Sequence, residues 1–164
     1  MALVNSVCGN IEASVLGTTL IHEHLLFGYP GWYGDGTVAP FHRRKELEAA
    51  ASTLKGLKEE HGLNTWVDVT PNECGRDPLY LKEVSEKSGV HIVCATGYYS
   101  EREGAPAYFR LRSALTDIAS EIRELMYREI TQGIQDTGVR AGVIKVASGK
   151  GGISDYERAF FRAA

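Results

Sequence analysis

The sequence is poor in cysteine and has neither a long apolar run nor an excess of one charge, and each shortage excludes a class of protein. The cysteines, Cys8, Cys74 and Cys94, are odd in number and lack Cys-x-x-Cys spacing, so a disulfide framework is not expected and a reducing cytoplasm fits best. Each is interpreted as a small core residue, because free cysteine is usually buried. No apolar run approaches the roughly 18 residues of a transmembrane helix, and no basic-then-apolar N-terminus indicates a signal peptide.

Charge and composition are those of an ordinary globular domain. The formal net charge is −3, charged residues make up 24% and hydrophobic residues 43% of the 164-residue chain. Lysine and arginine are interspersed with aspartate and glutamate, so neither nucleic acid nor a membrane surface is expected as a partner. The length favours one domain.

Short β-branched runs alternate with longer helical patterns along the chain. An N-terminal hairpin is predicted at about residues 4–7 and 11–15, followed by strands at 19–24, 65–70, 91–96 and 142–147. Helices are predicted over 43–61, from the Asp77-Pro78 N-terminus, from about residue 116, and from the capping box Ser154-Asp155-Tyr156-Glu157. Residues 98–116 are predicted to form a long loop.

This alternation predicts an α/β fold with a parallel sheet. Either a doubly wound open sheet or the first half of a TIM (β/α)8 barrel fits the order. A complete barrel needs about 250 residues, so the chain would hold about the first four βα units behind a short N-terminal hairpin. A half barrel leaves two strand edges and its inner face bare, and truncation is therefore the simplest interpretation.

His22 and His24 flank Glu23 in the first predicted strand. Side chains two apart on a strand point the same way, so both imidazoles face one side and Glu23 faces the other. Converging imidazoles are ligands that zinc-type ions prefer. Two hydrogen-bonded histidines at a strand end would give the same pattern, and these residues alone leave that alternative open.

Lys145 lies inside the otherwise apolar strand predicted at 142–147. A buried charge is costly unless it is paired. Lys145 is therefore either a lysine that reaches a carboxylate beyond the strand end, or a desolvated amine that burial keeps neutral and nucleophilic. Strand ends on one rim of a barrel converge on a single site, so Lys145 and the histidine pair strengthen each other's interpretation.

Segments spread along nearly the whole chain resemble blocks of the phosphotriesterase family, in the same order and spacing. They are GTTLIHEH (17–24), VDVT (67–70), GRD (75–77), HIVCATG (91–97) and GVRAGVIKVA (138–147). The family includes aryldialkylphosphatases and phosphotriesterase-like lactonases and belongs to the amidohydrolase superfamily. The resemblance implies a TIM barrel of the metal-dependent hydrolase type, of which residues 1–164 would be the N-terminal half of a single domain.

The same resemblance implies a centre of two divalent metals, commonly zinc, with cobalt, manganese or iron as alternatives. His22 and His24 would bind the more buried ion, and Lys145, carboxylated to N6-carboxylysine, would bridge both. A metal-bridging hydroxide would attack an ester carbonyl or a phosphorus centre. The resemblance assigns two further histidines and a catalytic aspartate to later strands. No catalytic residue beyond the metal ligands is therefore expected in this chain, which alone should be inactive.

The substrate class depends on the segment after Gly97. Tyr98-Tyr99 and residues 101–109 resemble the lactonase branch, in which an aromatic residue two positions past that glycine contacts the substrate. Tyr99 could hydrogen-bond a lactone oxygen, or it could only pack under its loop. A lactone is favoured as the substrate, with organophosphate triester hydrolysis as a promiscuous activity. The full-length protein is expected to be a cytoplasmic homodimer.

Two roles are possible for Asp68. Asp68, in the second predicted strand, could orient a metal-bound histidine as an acceptor or could bind loop amides. The chain could also be a non-catalytic half barrel that pairs with itself or a partner, or an organophosphate triesterase proper. A nucleotide-binding open sheet is disfavoured, because LLFGY (25–29) replaces a glycine-rich turn after the first strand. GKGG (149–152) fails the P-loop spacing and is interpreted as a turn.

Overall fold

The computed structural model describes residues 2–164 as an alternation of strands and helices. A hairpin, β1 (Leu3–Ser6) and β2 (Gly9–Glu12), precedes the strands β3 (Thr18–Glu23), β4 (Leu63–Asp68), β5 (His91–Tyr98) and β6 (Val143–Val146). The helices are α1 (Arg43–His61), α2 (Pro78–Ser88), α3 (Ala107–Arg112), α4 (Ile118–Thr131) and α5 (Asp155–Ala163). Short 3-10 turns lie at Ala13–Val15 and Trp32–Asp35.

The main sheet has four strands in the order β3-β4-β5-β6, and every neighbouring pair is parallel. It curls into a half barrel, which confirms the first half of a TIM barrel over the doubly wound alternative. In the register, Asp68 lies between Glu23 and Cys94, and Lys145 lies beside Gly97. The carboxyl ends of all the strands therefore meet at one rim.

Local signals predicted the helix termini correctly. The Asp77 side chain accepts a hydrogen bond from the Tyr80 amide at the start of α2. The capping box at α5 forms in full between Ser154 and Glu157. Helix α1 ends where Gly62 adopts a left-handed conformation with φ of 69°, which glycine enters without steric cost.

Several boundaries differ from the sequence prediction, and strands β3 and β4 begin and end one and two residues earlier than predicted. The hairpin strands begin and end earlier than predicted, and residues 13–15 form a 3-10 turn instead of strand. Strand β5 runs on to Tyr98. Helix α3 interrupts the predicted loop, because buried Phe109 packs edge-on against Tyr98 with ring centroids 5.5 Å apart. That contact joins the end of a strand to a helix across a loop, and local sequence patterns do not predict it.

The core has two parts on the helix-covered face of the sheet. One lies between the sheet and the helices α1 and α2, and the other gathers Tyr98 with residues of α3, α4 and α5. Cys74 and Cys94 are buried as predicted, and burial raises the pKa of their thiols to about 11 and about 12. The core prediction for Cys8 is wrong: Cys8 is exposed in the turn of the hairpin.

The N-terminal hairpin covers the amino ends of the strands. The Val7 amide donates to the Ile92 carbonyl over 2.8 Å. The Asn5 side-chain amide donates to the carbonyls of Ile130 and Ala141, each over 2.9 Å. The carboxyl ends of the strands are left as the open rim.

The two outer strands of the sheet, β3 and β6, each lack a second partner strand among residues 2–164. Ile21 on β3 is 75% exposed, and Leu20 beside it is 38% exposed. Within the same residues, no helix combines the length and apolar character needed to cross a bilayer.

Candidate metal centre

His22 and His24 project at the carboxyl end of β3. Their ring centroids lie 5.8 Å apart, in an edge-on arrangement. Both side chains are exposed, whereas Glu23 between them is half-buried. The alternation predicted for the His-x-His segment is therefore present, and both rings face the rim.

A threonine on the neighbouring strand end fixes the orientation of the His24 ring. Thr70 Oγ1 lies 2.8 Å from His24 Nδ1 and 3.2 Å from the Leu26 carbonyl oxygen. A carbonyl can only accept, so the single hydroxyl proton of Thr70 goes to Leu26, and its oxygen accepts the proton on Nδ1 of His24. The lone pair of neutral His24 is then on Nε2. Burial lowers the pKa of His24, which favours this neutral form.

Lys145 comes from β6 and meets His22 from β3, although these strands form opposite edges of the sheet. The Lys145 Nζ lies 3.4 Å from His22 Nε2. In a flat sheet, strands three positions apart would be separated by roughly 14 Å. The convergence of the two side chains is thus a consequence of the curl.

Gly97 allows β5 and β6 to approach closely at this point. It has φ of 113°, and a Cβ there would lie 2.0 Å from the Lys145 carbonyl oxygen. Lys145 itself is half-buried. Its amine is therefore not fully desolvated among residues 2–164.

One cavity of about 260 Å³ joins the predicted site residues. It is lined by His22, His24, Phe27, Pro71, Tyr99 and Lys145. Tyr99 reaches this cavity and also packs beneath its own loop, since a Cβ at Gly104 would lie 2.5 Å from the Tyr99 Cβ. Tyr99 therefore both borders the cavity and packs under its own loop.

The Asp68 carboxylate binds backbone amides and does not contact a histidine ring. Its Oδ2 accepts from the Leu25 amide over 2.8 Å, and its Oδ1 accepts from the Thr70 amide over 3.1 Å. The side chain that contacts the His24 ring is that of Thr70. Asp68 instead anchors the residue after His24 and the residue that binds its ring. Burial raises the pKa of Asp68, although these amide bonds oppose the rise.

The donor set suits a metal that takes further ligands from elsewhere. Across residues 2–164, no three His, Cys, Asp or Glu side chains form a ready-made metal cluster. The cavity offers two imidazoles and one amine, so its metal-binding groups carry no negative charge as they stand. Carboxylation of Lys145 would add anionic oxygen ligands, which zinc and similar ions accept beside imidazoles.

Sequence reasoning missed Thr70, Phe27 and Pro71 as residues of the site. Thr70 follows a strand end directly beside the histidine strand, and its position at the rim was the one available signal. Phe27 contacts His24 edge-on with centroids 5.1 Å apart. That contact depends on the path of the loop after β3, which the sequence pattern did not indicate.

Comparison with known proteins finds relatives of the phosphotriesterase type. The sequence profile of the phosphotriesterase family matches residues 2–164. A phosphotriesterase homology protein from Mycobacterium tuberculosis is 31% identical over 99% of this chain and 50% of its own length. An aryldialkylphosphatase from Saccharolobus solfataricus is 32% identical over 94% and 47%. An N-acetyltaurine hydrolase from Salmo salar is 28% identical over 98% and 51%.

Solved structures agree with the sequence matches. An organophosphorus hydrolase from Deinococcus radiodurans is 50% identical and superposes with a TM-score of 0.95, over 98% of this chain and 48% of its own. A mutant PTE-like lactonase from the same organism is 50% identical, with a TM-score of 0.95 over 98% and 50%. These neighbours define a class, hydrolases built on a β/α barrel. The chain belongs to the phosphotriesterase family, and it spans about half the length of the relatives it matches.

Proposed function

We propose that this chain supplies part of a binuclear metal-dependent hydrolase that cleaves ester bonds, with lactones as its main substrates and organophosphate triesters as promiscuous ones. The observation that carries the proposal is the meeting of His22 and Lys145, whose Nε2 and Nζ atoms lie 3.4 Å apart. Both side chains reach the same cavity from opposite edges of the sheet, as the ligands of a shared metal centre would.

His22 and His24 would hold one divalent ion, and Lys145, as N6-carboxylysine, would link it to a second. Zinc is the expected metal, with cobalt, manganese or iron as alternatives. When bound, the metals would supply a hydroxide nucleophile at neutral pH and polarise the electrophilic centre. The Thr70 hydroxyl keeps the His24 Nε2 lone pair toward the cavity, and Asp68 holds the backbone on either side of that contact.

Tyr99 would orient the substrate. It is half-buried at the wall of the cavity, and its hydroxyl can donate a hydrogen bond to a lactone oxygen while its ring packs on the alkyl part. The cavity wall is otherwise apolar at Phe27 and Pro71. This combination suits a neutral ester with a hydrocarbon portion better than a charged substrate.

Similarity supports both ester substrates and does not rank them. The Deinococcus radiodurans structures that are 50% identical are named an organophosphorus hydrolase in one case and a PTE-like lactonase in the other, so the lactone preference depends on Tyr99 and the apolar cavity wall. The test is hydrolysis of a lactone panel beside paraoxon and an N-acyl amide, using the complete gene product with zinc or cobalt and bicarbonate. Metal-dependent lactone turnover that His22→Ala abolishes supports the proposal. A preference for paraoxon or the amide would refute the assigned substrate class.

A second candidate function is a half barrel that pairs with itself or a partner without catalysis. One observation favours it: Ile21, on an outer strand, is 75% exposed, as an interface residue would be. Size-exclusion chromatography of the 164-residue chain separates the candidates. A folded, symmetric dimer without metal-dependent activity supports pairing, whereas aggregation of this chain beside an active complete gene product supports the hydrolase.

A further inference from the structure

Glu157 is a buried carboxylate that lies outside the cavity. It is 2% exposed, and it accepts hydrogen bonds from the backbone amides of Ser154, Gly149 and Glu101, at 2.9, 3.0 and 2.9 Å. Burial opposes ionisation of this carboxyl, yet the amide bonds together outweigh it and leave the pKa of Glu157 below its usual value. A buried carboxylate that accepts three amide hydrogen bonds is held in one position.

The amides belong to two different loops. The β5 loop (residues 99–106) contains Glu101, and the β6 loop (residues 147–154) contains Gly149 and Ser154. Pairing between the strands ends at Tyr98 and Val146. Beyond that pair, the Oε1 atom of Glu157 accepts a hydrogen bond from each loop. This atom therefore links the two loops where the hydrogen bonds between the strands have ended.

Helix α5 holds the β5 loop at a second point. The Tyr156 hydroxyl donates to the Pro106 carbonyl over 2.5 Å, and the guanidinium of Arg110 lies 4.9 Å from the centre of the Tyr156 ring. The first turn of α5 thus contacts the β5 loop near both of its ends. Tyr99 lies two residues before Glu101, on the part of this loop that lines the cavity.

Helix capping explains only part of this arrangement. The capping box needs Glu157 Oε2 on the Ser154 amide and Ser154 Oγ on the Glu157 amide. It does not need Oε1, which carries both contacts that join the loops. The two halves of the box can therefore be separated by substitution.

We propose that Glu157 is a positioning residue that fixes Tyr99 against the substrate by clamping the β5 loop to the β6 loop. This inference rests on the proposed function, because it takes Tyr99 as a substrate contact. It assigns to a residue outside the cavity a control over substrate binding that the capping motif alone would not give.

Hydrogen exchange and kinetics on the metal-loaded, complete gene product test the clamp. Glu157→Ala should speed exchange of the Glu101 and Gly149 amides by at least about tenfold and raise KM for a lactone by about tenfold with little change in kcat. Ser154→Ala is the matched control: it removes the other half of the capping box, and it should leave both amides and KM unchanged. Glu157→Gln, whose carbonyl can still accept from both loops, should restore most of the wild-type KM.

Each outcome decides the proposal. Unchanged exchange at Glu101 and Gly149, or faster exchange with an unchanged KM, would overturn it, and so would Ser154→Ala reproducing both effects. If Glu157→Ala does not fold, Glu157→Met replaces it, because its side chain fills similar space and accepts from neither loop: faster loop exchange than in Ser154→Ala supports the clamp, and equal exchange refutes it. The exchange arm is independent of turnover, so a clamp without hydrolase activity would refute the proposed function alone.

Discussion

Thr70 Oγ1 lies 2.8 Å from His24 Nδ1 and donates its own hydrogen bond to the Leu26 carbonyl. Neutral His24 is thereby held in the tautomer that carries its proton on Nδ1 and its lone pair on Nε2. Thr70→Val should reduce zinc affinity by about ten- to a hundredfold, as loss of a partner behind a ligand does. Equilibrium dialysis with metal analysis measures the change. Thr65→Val removes another buried hydroxyl, on strand β4, and it should leave affinity near wild type. An equal loss in both variants would contradict the orienting role.

Tyr99 lines the cavity with a hydroxyl and a ring, and these two parts can be tested apart. Tyr99→Phe should raise KM for a lactone by roughly three- to tenfold, the worth of one hydrogen bond, and Tyr99→Ala should raise it further. Steady-state kinetics provide the measurement, with Tyr108→Phe, an exposed tyrosine on α3, as the control. A Tyr99→Phe enzyme with an unchanged KM would reduce Tyr99 to a packing residue.

Arg76 and Glu129 form a buried pair whose role is structural. Arg76 donates to both carboxylate oxygens at 2.7 and 2.8 Å and also to the Ala95 carbonyl, with the side chains 8% and 10% exposed. Arg76→Met leaves a buried, unpaired carboxylate and should lower the free energy of unfolding by about 3–5 kcal/mol. Urea denaturation measures it.

The double substitution gives the sharper comparison for this pair. Arg76→Met with Glu129→Leu removes both charges, and it should recover much of the lost stability. Arg43→Met, which breaks the exposed pair with Glu83, should cost less than about 1 kcal/mol. A double variant as unstable as Arg76→Met would show that the loss comes from packing and not from the unpaired charge.

Arg112 and Glu121 join α3 to α4, and their contribution should depend on pH. The hydrogen bonds from the Arg112 guanidinium lower the pKa of Glu121 to about 2. Because the folded-state pKa lies below the model-peptide value, the contact stabilises the protein at pH values above that value. The stabilisation is lost as the pH falls through about 2.

Glu121→Gln should therefore lower the urea midpoint at neutral pH, and the difference from wild type should shrink as the solution is acidified. Glu124→Gln on the same helix breaks the exposed pair with Arg128, and it should show little of this dependence. A difference between wild type and Glu121→Gln that is constant with pH would contradict the assignment.

Local residue patterns predicted the succession of strands and helices along the chain, the helix caps and the metal-ligand candidates, because these depend on neighbours in sequence. The caps at Asp77 and Ser154 and the alternation of His22 with His24 are such features. Helix α3 was missed because it depends on the packing of Phe109 against Tyr98, which lies on the other side of the loop. The contact between Thr70 and His24 was missed for the same reason. The exposure of Lys145 depends on how far the sheet closes, which no local pattern encodes. Metal identity, carboxylation, the homodimer and a cytoplasmic location stay predictions.

The most direct test of the proposed function is metal stoichiometry and carbamate formation at Lys145 in the complete gene product. After metal removal, the protein is reconstituted with zinc and isotope-labelled bicarbonate, and the label is followed by NMR beside lactone turnover. We expect two metal ions per chain, a carbamate signal and turnover in the wild type, and loss of the signal, the second metal and turnover in Lys145→Met. Full metal occupancy and lactone hydrolysis in Lys145→Met would contradict the proposed centre.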